Sequence, residues 1–100
     1  MVVALIEVPV TIYFSFRGKL DEGKTGIKVE LSDNSTVYDA IKQLTDLHPD
    51  LNGKILTKSN RPRRFIQIRI NQQGIEHLSG LQTKLDDGDE LIILPKLGGG

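Results

Sequence analysis

The first third of the chain alternates hydrophobic and polar positions with period two. This alternation is typical of β-strands with one buried face, and it predicts two strands, Val2–Phe16 and Gly26–Leu31, separated by a turn over Arg17–Gly23. Because the connection is short, we expect the strands to pair as an antiparallel hairpin. The alternating positions are Val8, Val10, Ile12, Phe14 and Phe16 in the first strand and Ile27, Val29 and Leu31 in the second.

The pattern becomes helical after Asp33. Thr36 and Asp39 have the spacing of a capping box, in which each side chain accepts a hydrogen bond from the other residue's main-chain amide. A hydrophobic stripe follows at helical spacing, so we expect a helix lying across the sheet. His48-Pro49 ends this helix, because proline disfavours the helical conformation of the residue before it. The stripe consists of Val37, Ala40, Ile41, Leu44 and Leu47.

Residues 49–63 read as a loop, in which Leu51, Ile55 and Leu56 are expected to pack as one helical turn. The nearly continuous hydrophobic segment Phe65–Ile70 then predicts a third strand. Such a segment is typical of a strand covered on both faces, so we expect it at the middle of the sheet and expect Phe65 in the core.

Two further strands are predicted near the C-terminus. Ile75–Leu78 is expected to form a short strand, with Leu81 and Leu85 covering an edge. A tight turn over Asp86–Asp89 leads into the last strand, Leu91–Leu94, which Pro95 ends because proline cannot donate to the ladder. The element order predicts an α+β fold of the ubiquitin-like β-grasp type, with a mixed four- to five-stranded sheet and one main helix across one face.

The chain of 100 residues is 38% hydrophobic and 26% charged, which fits one globular domain. We expect residues 1–95 to form the domain and residues 96–100 to form a flexible tail, because three consecutive glycines lack the side chains needed to pack. The opening hydrophobic run is too short to span a membrane and has no basic flank. We therefore expect a cytoplasmic protein without a membrane partner.

The 13 basic and 13 acidic residues cancel, yet they are unevenly distributed. Residues 51–75 contain no acid and six bases. A basic groove with exposed aromatic side chains would favour single-stranded nucleic acid, but Phe65, the nearby aromatic residue, is expected in the core. We therefore favour an electrostatic dock for an acidic partner surface, or a solvated loop, over nucleic acid. The bases are Lys54, Lys58, Arg61, Arg63, Arg64 and Arg69.

Few residues suggest catalysis. The chain has no cysteine, and His48 and His77 lack the spacing of a metal site. No serine, histidine or aspartate stands in a nucleophile motif. We expect neither a bound metal or cofactor nor an intrinsic enzyme.

The glycine tail is the most informative feature. A thread of glycines can pass down a narrow channel and present a terminal carboxylate, which becomes an acyl donor if another enzyme adenylates it. A frayed terminus is the alternative interpretation.

The segment Leu85–Pro95, a three-residue spacer and Gly99-Gly100 together resemble the sulfur-carrier family of ubiquitin-like β-grasp proteins. This family includes the small subunit of molybdopterin synthase and the sulfur carriers of thiamine and cysteine synthesis. Arg63–Asn71 and Leu78–Leu81 look closer to the cysteine-synthesis carrier. Gly98 occupies a spacer position at which the family usually has a small residue such as alanine, so a third glycine there is a mild departure from the family pattern.

The resemblance implies that Gly100 is adenylated and converted to a thiocarboxylate, while Gly99, Gly98 and Leu97 enter the partner's site. It implies an E1-like adenylating enzyme that uses ATP, a sulfur-accepting synthase and a metalloprotease that trims the tail. A ubiquitin-like modifier joined to target lysines is the second hypothesis, and a plain binding module is the third. The residues expected to dock the partner are Arg63, Arg64, Arg69 and Lys96.

Overall fold

The computed structural model describes residues 4–16 and 19–95, and for residues 14–16 and 19–25 it describes only the main chain. Three single 3-10 turns accompany the main elements: Pro49–Leu51, Ile75–His77 and Gly80–Gln82. The main elements are β1 (Leu5–Phe16), β2 (Lys19–Ser32), α1 (Val37–Leu47), β3 (Ile66–Ile70), β4 (Gln73–Gly74) and β5 (Leu91–Pro95).

The five strands form one mixed sheet in the order β2-β1-β5-β3-β4. β5 runs parallel to β1 and antiparallel to β3. The prediction that the third strand is central is therefore wrong, since β5 holds that place. β3 has a full-length neighbour on one side only, because β4 pairs with it just at Arg69 and Ile70.

The N-terminal strands form the predicted antiparallel hairpin, in which Val8, Val10 and Ile12 are buried. The predicted turn over residues 17–23 is too long, because β2 already begins at Lys19. Polar residues of this segment still pair with β1, because the hydrogen bonds of the ladder come from the main chain. The register shifts between Tyr13 and Ser15. The side chains of Phe14 and Phe16 lie outside the described part.

The helix α1 begins with the predicted capping box. The Asp39 amide donates to Thr36 Oγ1 at 3.3 Å, and the Thr36 amide donates to Asp39 Oδ2 at 2.9 Å. His48 caps the C-terminus, as predicted. Leu47 was expected on the buried stripe but is 53% exposed, since it lies beyond Leu44, the last helical residue in the core. The buried helical residues are Val37, Ala40, Ile41 and Leu44.

One hydrophobic core joins α1 to the inner face of the sheet and the C-terminal segments. Leu51, Ile55 and Leu56 are all buried, but the predicted helical turn covers only Pro49–Leu51. The predicted strand Ile75–Leu78 is wrong: Ile75–His77 forms a 3-10 turn.

Candidate functional site

The residues predicted to form the tail follow the central strand β5 in the sequence. Pro95, the last residue of β5, pairs with Ile66 at the start of β3. Leu91 and Ile93 are fully buried, so the strand that carries the tail is held by both neighbours and by the core. The predicted tail residues Lys96, Leu97, Gly98, Gly99 and Gly100 lie outside the described residues.

A network of hydrogen bonds holds the turn before β5. The Asp86 amide donates to Asp89 Oδ2 at 2.9 Å. Gly88 has φ +85°, a left-handed conformation that glycine adopts without strain, and its amide donates to the Glu7 carbonyl at 3.0 Å. The Glu7 amide in turn donates to Asp87 Oδ1 at 2.7 Å. The acidic turn is thus fastened to β1.

Asn71 fixes the same end of β5 from the other side. Its main-chain amide donates to the Glu90 carbonyl at 2.7 Å, and its side-chain Oδ1 accepts from the Glu90 amide at 3.0 Å. Asn71 has φ 56°, which asparagine tolerates better than most residues. These contacts join the residue after β3 to the residue before β5.

The outer face of the sheet, opposite the core, carries a shallow cavity of about 460 Å³. Ile92 and Leu94 of β5 are half-buried there, and Tyr13 is 40% exposed. Arg69 lines the same cavity and donates through Nη2 to the Gln72 carbonyl at 2.8 Å. Its Nε is buried without a hydrogen-bond partner in the described residues. The cavity thus combines hydrophobic side chains with one cation.

Arg63 and Arg64 lie elsewhere, in a groove beside the start of β3. The Arg63 amide donates to the Ile55 carbonyl at 2.9 Å, and its Nε donates to the Gly53 carbonyl. The four residues predicted to dock a partner are therefore not one cluster. Arg69 lines the outer-face cavity, Arg63 and Arg64 line the groove beside the start of β3, and Lys96 is not described.

Phe65 corrects the prediction that it belongs to the core, because it is 75% exposed. It stands in the turn before β3, which begins at Ile66. The strand alternation that buries Ile68 and Ile70 therefore does not extend to Phe65. The pair of arginines directly before it is the sequence signal that could have marked this position as exposed.

Across the described ranges, no helix is long and apolar enough to cross a membrane. In the same part of the chain, no group of three or more histidine, aspartate or glutamate side chains is arranged to hold a metal ion.

A mixed sheet of this order, packed on one face against the helix α1, defines a ubiquitin-like β-grasp fold. The chain belongs to the ThiS family, whose family description matches residues 15–100. Members of this family are small carrier proteins rather than catalysts, and the relatives of this chain include both sulfur carriers and ubiquitin-like modifiers.

Three relatives illustrate this range. Small archaeal modifier protein 3 of Haloferax volcanii is 26% identical over 95 residues, which cover 95% of this chain and all of the relative. The sulfur carrier protein CysO of Mycobacterium tuberculosis is 31% identical over 70 residues, covering 70% of this chain and 67% of CysO. A crystal structure of the Amycolatopsis orientalis BexX/CysO complex matches with TM-score 0.62 and 27% identity, covering 91% of this chain and 99% of the other. A related protein thus binds a partner.

Proposed function

We propose that this protein is a sulfur carrier whose Gly100 carboxylate is activated by an E1-like enzyme with ATP. The carboxylate attacks the α-phosphorus of ATP and releases pyrophosphate, which leaves an acyl-adenylate. Hydrosulfide then attacks the acyl carbon and AMP departs, so a thiocarboxylate forms without a change in oxidation state. The carrier itself supplies no catalytic group.

The observation that carries this proposal is the position of β5. A central strand, bound by both neighbours and anchored by Leu91 and Ile93, gives a rigid origin for the residues after Pro95. Five residues can span at most about 17 Å when extended. Gly100 could therefore reach a buried active site while the domain stays outside, with Gly99, Gly98 and Leu97 in the channel.

Docking is proposed on the outer-face cavity of Tyr13, Ile92, Leu94 and Arg69. Hydrophobic side chains at the middle of a patch with a cation beside them are typical of protein interfaces. A sulfur-accepting synthase and the adenylating enzyme would contact this face in turn, with Arg63, Arg64 and Lys96 around the tail entrance. A metalloprotease would act only where residues follow Gly100.

The intact mass after incubation with ATP, sulfide and the adenylating enzyme tests the proposal. We expect the mass gain of one sulfur replacing one oxygen, localised to Gly100 by fragmentation. A variant lacking Gly99 and Gly100 serves as the control and should gain nothing. An unchanged mass, with the enzyme active on another carrier, would overturn the proposal.

A ubiquitin-like modifier is the second candidate, favoured by the similarity over 95 residues to small archaeal modifier protein 3. The same acyl-adenylate would then react with a lysine amine and form an isopeptide bond. Conjugates carrying a glycine remnant on target lysines would favour modification. A free thiocarboxylate with no such conjugates would favour sulfur transfer.

A further inference from the structure

A second surface lies away from the outer-face cavity. We call it the β3 edge groove, formed between residues 62–68 and residues 75–81, with a volume of about 420 Å³. Its floor is hydrophobic and Arg63 and Arg64 stand at one end, with the exposed Phe65 next to them in the chain. The hydrophobic residues of the floor are Pro62, Ile66, Ile75 and Leu81.

The main chain of β3 is open towards this groove. β4 pairs with β3 only at Arg69 and Ile70, so no strand of the described chain pairs with the Ile66 end on that side. The Asn71 amide donates to the carbonyl of Glu90, the residue just before β5, and antiparallel pairing alternates along β3, so the main-chain groups of Ile66 face away from β5. The Ile66 amide is already bound to the Arg63 carbonyl at 3.0 Å. By the same alternation the Ile66 carbonyl points to the side where, in the described residues, β4 does not reach, so an added strand could donate to it.

The arginine end of the groove is positive. Residues 51–75 contain no acidic residue, and Arg61, Arg63 and Arg64 form no ion pair with another described residue. Glu76 lines the opposite wall of the groove, and its carboxylate packs closely against Gly74. The contact is so close that a Cβ built on Gly74 would lie 2.5 Å from Glu76 Oε1. The charge at the arginine end therefore lacks an internal counter-ion in the described residues.

We infer that the β3 edge groove binds an extended peptide segment of a partner protein, with hydrophobic side chains at alternate positions and acidic residues at the end that meets Arg63 and Arg64. An added strand gains main-chain hydrogen bonds from the open edge and specificity from alternate side chains in the groove. This site requires neither Gly100 nor the outer-face cavity.

Other occupants fit the groove less well. A second copy of this chain would bring one basic groove against another, and like charges repel. Single-stranded nucleic acid needs successive aromatic platforms, whereas Phe65 is the one exposed aromatic side chain described near these arginines. A hydrophobic floor beside an open strand edge favours a peptide.

The test uses the whole chain and a blocked synthetic peptide in which three aspartates precede alternating valine and threonine. Titration followed by amide NMR shifts should move Phe65, Ile66, Ile75 and Leu81. At low salt, Arg64→Glu should weaken binding about tenfold, because it reverses a charge at the acidic end of the peptide. N-methylation of the peptide at alternate amides should weaken binding by a similar factor, since it removes main-chain donors.

Lys28→Glu is the matched control, because it makes the same charge change on β2, at the opposite edge of the sheet. Lys28 pairs with Glu7 at 3.3 Å in an exposed ion pair, which contributes little to stability. We expect unchanged peptide binding in this variant. Equal weakening by Lys28→Glu and Arg64→Glu would overturn the inference, because the attraction would then be non-specific.

Three further outcomes would also overturn it. The first is that millimolar peptide shifts no amide signals in the groove, either because nothing shifts or because the shifts centre on Ile92 and Leu94 of the outer-face cavity. The second is movement of the groove amides with protein concentration alone, which would identify a second copy as the occupant. The third is displacement of the peptide by oligouridine that binds more tightly at the same amides.

Discussion

Ile92 and Ile93 are neighbours on β5 but face opposite sides of the sheet. Ile93 is fully buried in the core that α1 covers, whereas Ile92 is half-buried in the outer-face cavity. The inner face provides hydrophobic burial that stabilises the fold. The outer face keeps part of its hydrophobic surface accessible, which a partner can use. In the proposed function, one strand thus separates stability from recognition by its alternation alone.

The largest effect is expected from Ile93→Thr on the inner face. The change shortens a fully buried side chain and places a hydroxyl among hydrophobic neighbours. We expect a loss of about 3 kcal/mol in the free energy of unfolding. Urea denaturation followed by circular dichroism measures it. A loss below about 1 kcal/mol would mean that the inner face is not the main source of stability.

A smaller loss is expected from Thr36→Ala, which weakens the helix covering the inner face. Thr36 Oγ1 accepts the Asp39 amide at 3.3 Å, and loss of an N-cap costs about 1 kcal/mol. Thr36→Ser keeps the acceptor and should retain most of the stability in the same urea experiment. Equal losses in both variants would show that the hydroxyl does not act as the cap.

Ile92→Thr makes the same change on the outer face. Because Ile92 is only half-buried and threonine also favours strands, we expect a stability loss below about 1 kcal/mol. Sulfur transfer to the accepting enzyme should fall about tenfold, since contacts at the centre of an interface contribute most to binding. Comparison of unfolding and transfer in Ile92→Thr and Ile93→Thr separates the two faces. Unimpaired transfer by Ile92→Thr would remove the outer face from docking.

The smallest change in stability is expected from deletion of Gly99 and Gly100. These residues follow the last strand and contribute no side chain to the core, so the free energy of unfolding should change by less than about 0.5 kcal/mol. Thiocarboxylate formation should be abolished, as measured by intact mass. Extensive unfolding of the truncated chain would contradict the separation of tail and domain.

Local patterns in the sequence predicted the elements whose determinants are close together in the chain. The capping box of Thr36 and Asp39 and the helix end at His48 depend on neighbouring residues, and both are confirmed. The period-two burial of Val8 and Ile12 in β1 is also confirmed. In these cases the physical signal lies within a few residues.

Most errors concern arrangement and exposure, whereas the strand predicted over Ile75–Leu78 is an error of element type, because Ile75–His77 forms a 3-10 turn. Alternation identifies a strand but does not say which strands become its neighbours, so the central place of β5 could not be derived from Phe65–Ile70. The exposure of Phe65 depends on a turn one residue before the strand, a boundary that hydrophobicity alone does not locate. Arg69 lies on β3 and lines the outer-face cavity, whereas Arg63 and Arg64 precede β3 and line the β3 edge groove. Their closeness in the sequence therefore does not bring them together on one surface.

The central position of β5 also has a consequence for how the protein is made. β1 and β3 meet only through β5, which occupies residues 91–95, so the sheet cannot close until those residues have left the ribosome. Pairing of β1 with β5 spans about 80 positions in the sequence, and contacts of that separation form late and slowly. A nascent chain interrupted before residue 91 would lack both the closing strand and the tail. Proteolysis could then remove it while it is still unfolded.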